Sequence, residues 1–129
     1  MRFIRQGIDI VSVRRIGRSI ETQGQPFLDR VFTSREQSYC NSKRRKFEHY
    51  AARFAAKEAV VKVLKLPKST AILFREIDIR RKATGKPYVV LSKKLMQKAK
   101  LASRKFQLEI SMSHERDHAI AIAVLVISK

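Results

Sequence analysis

Tryptophan is absent from these 129 residues, cysteine occurs once, proline three times and glycine four times. A single cysteine, Cys40, has no partner within the chain, which excludes an internal disulfide and the stapled frameworks of small secreted domains. With so few glycines and prolines and 44% hydrophobic residues, the composition does not fit a disordered chain or a low-complexity linker. No apolar run approaches the roughly 20 residues that span a bilayer. The opening "MRFIRQGIDI" is interrupted by charge too soon to read as a secretory leader, so a cytosolic location is the expectation. Acidic residues are scarce as well: 11 Asp and Glu stand against 29 Lys and Arg, a formal charge of +18. A surface so one-signed attracts polyanions, whether nucleic acid, anionic membrane, phosphorylated ligands or an acidic protein, and charge alone does not choose among them.

What is present points to one globular domain over residues 1–129, since that length buries a real core but is short for two. "FIRQGIDIV" alternates as a strand does, with Ile4, Ile8 and Ile10 on one face and Phe3, Gly7, Asp9 and Val11 on the other. Ser12 suits an N-cap. Val13, Ile16 and Ile20 then give a helical stripe that should stop near Gly24. Thr33 and Glu36 have capping-box spacing, which predicts a short helix from Ser34. The longest helical pattern runs from about Lys43 to Lys65, ahead of Pro67. "ILFREIDIRR" and "PYVVLS" read as a hairpin turning at Gly85, and Ser92 as the cap of a helix over "KKLMQKAKLA". "FQLEISMS" alternates, whereas "HAIAIAVLVI" is apolar on both faces, as suits a central strand or one covered by a partner chain. The predicted fold is α+β, an antiparallel-type sheet packed with a long central helix.

Three residues stand out chemically. Glu58 and Lys62 lie four apart on one face of the long helix, flanked by Ala55 and Ala59. An exposed helix-stabilising ion pair and one side of a ligand site both fit. Asp9 is an acid between two isoleucines of a strand, costly unless a cation or donor meets it. It serves as a cap, as a partner for one of the many arginines, or with Glu58 as a seat for Mg²⁺, which is typically held by one or two carboxylates plus substrate phosphates.

"GIDIV", "RFAAKEAVVK", "GKPYV" and "ISMSH", in this order and spacing, resemble the holo-acyl-carrier-protein synthases, the small bacterial 4′-phosphopantetheinyl transferases. The resemblance runs over essentially the whole chain. It implies transfer of phosphopantetheine from coenzyme A to a serine of apo acyl carrier protein, releasing adenosine 3′,5′-bisphosphate, in fatty acid biosynthesis. It implies Mg²⁺ held by Asp9 and Glu58, with Lys62 reaching the same phosphates and Glu58 receiving the serine proton. By the same resemblance Arg45, Arg53, Lys65, Lys86, Pro87 and His114 are further coenzyme A contacts, and Arg14, Arg15 and Arg18 dock the acidic carrier. A homotrimer with active sites shared between subunits is implied too. One departure is plain: no glycine occurs from Val63 to Phe74, where the family has a glycine-containing loop, and Lys65, Lys68, Ser69 and Thr70 stand as substitutes.

Two other readings compete. A small basic RNA-binding protein suits the size, the charge and "SKRRK", but leaves Asp9 and Glu58 unexplained and lacks an aromatic stacking motif. A catalytically silent module that only docks carrier protein is the other. "HERDH", His114 to His118, matches a zinc-protease signature, yet its two histidines share a face only on a helix, and here a hairpin turn is expected.

Overall fold

A computed structural model describes residues 2–67 and 74–128. The alternating opening stretch forms β1 (Arg2–Ser12). Ser12 ends it and caps α1 (Val13–Gln23), accepting the Arg15 N–H at 3.2 Å. Val13 and Ile16 are buried while Arg14, Arg15 and Arg18 are exposed, as the apolar spacing dictates. Gly24, at φ 66, closes α1 and leads into α2 (Gln25–Val31), with Pro26 in its first turn. No expectation covered α2, because seven residues carry too little periodicity to be recognised.

The capping box forms as read: Thr33 and Glu36 satisfy each other's backbone N–H and open α3 (Ser34–Asn41). The long helix α4 (Lys46–Leu64) is shorter than its pattern. It ends because Lys65 turns left-handed at φ 49, two residues before Pro67. Residues 74–76 are a 3₁₀ turn rather than strand, and β2 (Ile77–Arg81) pairs with β3 (Pro87–Leu91) around Gly85 at φ 91. Ser92 caps α5 (Lys93–Lys98), which stops short of Ala102, and Leu101 enters the core in its place. β4 (Lys105–His114) and β5 (His118–Ser128) complete the chain. Lys68, Ser69 and Thr70 lie outside the described residues.

The antiparallel sheet comes in two pieces, β1-β5-β4 and β2-β3, so β5 is indeed central. Register explains how α4 docks. On the inner face Gly7 pairs with Ala123, Asp9 with Ala121 and Val11 with Ala119, a trough of small side chains. Ala55, Ala56 and Ala59 of α4, all fully buried, fit this trough, so helix and sheet approach closely. Gly7 admits the helix itself, because a Cβ there would collide with the Ala59 carbonyl oxygen. For the same reason Ala55 and Ala59 do not leave room for a ligand.

The isoleucine face of β1 points away from α4, with Ile4, Ile8 and Ile10 at 65%, 56% and 62% exposure. Ile8 pairs with Ile122 and Ile10 with Ile120, so one apolar surface spans β1 and β5. "HERDH" is a hairpin turn as expected: the Glu115 carboxylate accepts the N–H groups of Asp117 and His118 at 2.9 and 2.6 Å. Among the described residues no helix is long and apolar enough to cross a membrane.

Candidate active site

Asp9 is held against α4 by the close packing at Gly7. The Lys62 Nζ donates to the Ile8 carbonyl oxygen at 2.7 Å and stands 3.5 Å from the Asp9 carboxylate. The cation that an acid in an apolar strand requires is therefore Lys62. Glu58, one turn before Lys62, is half-buried beside them. Burial first, then the nearby Asp9 carboxylate, raises the Glu58 carboxyl above its ordinary value, and Lys62 only partly offsets this. Two carboxylates thus share one local field with a single lysine. This donor set fits Mg²⁺, which completes its shell with water and phosphate oxygens, and it falls short of the three protein ligands of a zinc site.

The other sequence-predicted residues do not all join this group. Arg45 precedes α4 and reaches Glu48 at 3.6 Å, and Glu48 in turn holds the His114 Nδ1 at 2.9 Å. The His114 ring packs on His49 at 4.8 Å, and His49 on Tyr39 at 5.7 Å. Burial, and next His114, lowers the His49 pKa to about 4, so this ring stays neutral with its buried Nδ1 unpartnered among the described residues. Arg53 is only 2% exposed and is not a solvated surface cation. Its guanidinium lies 4.3 Å over the Tyr39 ring and donates to the His49 carbonyl oxygen at 3.3 Å. Arg45, Arg53 and His114 therefore form a second cluster, and Glu48 and Lys62 are separated by about 20 Å along α4.

Lys86 stands in neither cluster; it pairs with Glu109 at 3.1 Å on an exposed surface, with Pro87 beside it opening β3. Lys65 is the exposed left-handed cap beyond Leu64. Arg14, Arg15 and Arg18 face solvent from α1, and among the described residues none forms an ion pair. Arg15 borders a cleft of about 270 Å³ whose walls include Ile10, Ile16, Phe27 and Phe54.

Sequence reasoning missed Tyr39, Glu48 and the pair Glu36 and Lys57. Lys57 has no exposed side-chain surface and meets Glu36 at 2.7 Å. The signal was there in spacing: Arg53, Lys57, Val60 and Leu64 recur at helical intervals, so Lys57 falls on a buried face.

A family model described as the 4′-phosphopantetheinyl transferase superfamily matches residues 5–123. A holo-acyl-carrier-protein synthase of Protochlamydia amoebophila is 47% identical over 118 residues, covering 92% of this chain and 93% of the relative. One from Ruminiclostridium cellulolyticum is 42% identical over 120 residues, covering 92% and 89%. Among solved structures, the Helicobacter pylori holo-acyl-carrier-protein synthase in complex with coenzyme A superposes with a TM-score of 0.78 at 32% identity, covering 96% of this chain and all of that one. A Chronobacterium ammoniagenes synthase–coenzyme A complex gives a TM-score of 0.84 at 26% identity, covering 98% and 99%. The family match and these likenesses run along nearly the whole sequence, and the chain belongs to the holo-acyl-carrier-protein synthases of the 4′-phosphopantetheinyl transferase superfamily.

Proposed function

We propose that this chain transfers the 4′-phosphopantetheine arm of coenzyme A to a serine hydroxyl of an apo acyl carrier protein. The products are holo carrier and adenosine 3′,5′-bisphosphate, in support of fatty acid biosynthesis in the cytoplasm. The observation that carries this reading is the meeting of Asp9, Glu58 and Lys62 at the contact of β1 with α4. Transfer of a phosphoryl-linked group demands mainly positioning and charge neutralisation.

Asp9 and Glu58 would hold Mg²⁺, which neutralises charge on the pyrophosphate. Lys62, already tied to the Ile8 carbonyl, presents its ammonium to the same phosphates. Glu58 receives the serine proton directly or through water. Arg45, Arg53 and His114 bind the nucleotide end, with Lys65, Lys86 and Pro87 as further contacts.

The whole chain, residues 1–129, acts as a single transferase domain and assembles as a homotrimer. The exposed Ile4, Ile8 and Ile10, continuous with Ile120, support such an assembly, since an apolar surface of this kind favours burial against another chain. Assembly then sets the arginine–histidine cluster of one copy against the carboxylates of the next. The nucleic-acid alternative gains no support: the family is a transferase family, and the outward side chains Gln107, Glu109, Ser111 and Ser113 on β4 offer no stacking platform.

The test is direct. Incubated with coenzyme A, Mg²⁺ and apo carrier, the purified protein should shift the carrier's mass by one phosphopantetheine and sediment as a trimer, and EDTA should stop the reaction. An unshifted carrier after exhaustive incubation would overturn the reading.

Docking of the carrier is tested separately. Arg14, Arg15 and Arg18 form an exposed cationic face that an acidic partner fits. Arg14→Glu should raise the KM for carrier about tenfold or more, lower its association rate, and leave coenzyme A affinity intact. Unaltered carrier kinetics would remove α1 from the docking surface.

A further inference from the structure

The buried pair Glu36–Lys57 has no part in the chemistry above, yet its hydrogen bonding is saturated. The Lys57 ammonium uses three donors: to Glu36 Oε1 at 2.7 Å, to the Phe74 carbonyl at 2.8 Å and to the Ile77 carbonyl at 2.7 Å. Glu36 accepts the Thr33 N–H at 2.8 Å on one oxygen and the Ile79 N–H at 2.7 Å on the other. Neither side chain has exposed surface, so neither touches a ligand.

Burying two opposite charges is an expensive way to hold a core together, and well-packed apolar side chains generally do as well or better. What apolar contacts lack is direction. Three of these five bonds, Lys57 to Glu36, Lys57 to Ile77 and Ile79 to Glu36, tie together α3, α4 and β2, and the same three elements wall a cleft of about 200 Å³ lined by Arg35, Tyr39, Arg53, Arg80, Arg81 and, from β3, Tyr88. The correspondence is residue by residue. Glu36 follows Arg35 and precedes Tyr39 on α3, Lys57 lies one turn beyond Arg53 on α4, and the bonded Ile79 adjoins Arg80 and Arg81 on β2. Inside the cleft Arg53 and Arg81 lie over the Tyr39 ring at 4.3 and 5.4 Å. Among the described residues no carboxylate neutralises Arg53, so the cleft keeps its positive charge.

We propose that Glu36 and Lys57 are positioning residues that fix the spacing of α3, α4 and β2 and so preorganise the Arg53–Tyr39–Arg81 cleft for the phosphorylated nucleotide end of coenzyme A. This role rests on the transferase reading, and it predicts a selective effect. A pair with only a structural role would lower the folded fraction and weaken both substrates alike. A positioning pair affects coenzyme A first.

Lys57→Met and the charge-neutral pair Glu36→Gln/Lys57→Met are to be compared with the unaltered protein by circular dichroism, steady-state kinetics and hydrogen exchange. In the folded paired variant the KM for coenzyme A should rise about tenfold, while kcat falls by less than about threefold and the KM for carrier holds. Exchange at the β2 amides of residues 77–81 should quicken in Lys57→Met while the β4–β5 amides stay protected. A folded paired variant with an unchanged KM for coenzyme A overturns the proposal. If the unaltered protein transfers nothing, the transferase reading falls by itself and exchange decides the pair: β2 amides as protected in Lys57→Met as in the unaltered chain overturn it as well.

Discussion

Glu58→Gln should abolish most transfer, lowering kcat by about a thousandfold or more, while the protein melts no lower than before. The substitution keeps the side chain's size and removes both its charge and its capacity to take a proton. Its effect on stability has the opposite sign. Because burial and Asp9 raise the Glu58 carboxyl in the fold, its ionisation costs stability as pH rises through that value, and a neutral amide avoids the cost at neutral pH. A variant that is inactive and equally or more stable would mark Glu58 as a residue kept for chemistry against the interest of the fold. Full activity in Glu58→Gln would remove the proposed mechanism. Single-turnover mass spectrometry of the carrier, paired with thermal unfolding, measures both halves.

Gly7→Ala should cost about 1–3 kcal/mol, a drop in Tm on the order of 4–10 °C for a chain of this size, and most of the activity as well. The added methyl would strike the Ala59 carbonyl oxygen and crowd Lys62 Cβ at 3.1 Å and Val63 Cγ1 at 3.2 Å. Two of these contacts are backbone or near-backbone atoms of α4, so relief comes only by moving β1 away from the helix. Asp9 is two residues along on the same face, and it would move out of reach of Lys62 with the strand. Activity assayed well below the lowered Tm separates displacement from unfolding. Retention of full activity by the folded variant would show that the β1–α4 spacing does not govern the site.

These two outcomes follow from one arrangement, and much of it was legible beforehand. The alternation of β1, the Ser12 and Ser92 caps, the Thr33–Glu36 capping box and the Gly85 turn are local devices, each set by hydrogen bonding or dihedral freedom within a few residues, and all formed as read. Where prediction slipped, longer-range packing decided. α4 begins at Lys46 rather than near Lys43, and α5 is cut short as Leu101 enters the core.

The candidate site shows the same division. Asp9, Glu58 and Lys62 were chosen from residue chemistry and motif order, and the sheet register brings them together. Arg53 is almost wholly buried; Lys57 and Glu48 escape notice because a charged residue in a helix reads by default as solvent-facing, and Tyr39 because nothing local marks it as a cleft wall. By itself the sequence determined the types and order of most of the elements, though not α2, together with the excess of positive charge and the family, because these depend on local periodicity, composition and motif spacing. Only the tertiary structure decided which face of β1 turns inward and which acid meets which lysine. It also decided that the carboxylates and the arginine–histidine cluster lie apart on α4. These depend on how closely a glycine and a row of alanines let a helix approach a sheet, a contact between residues some fifty positions apart that no local pattern encodes.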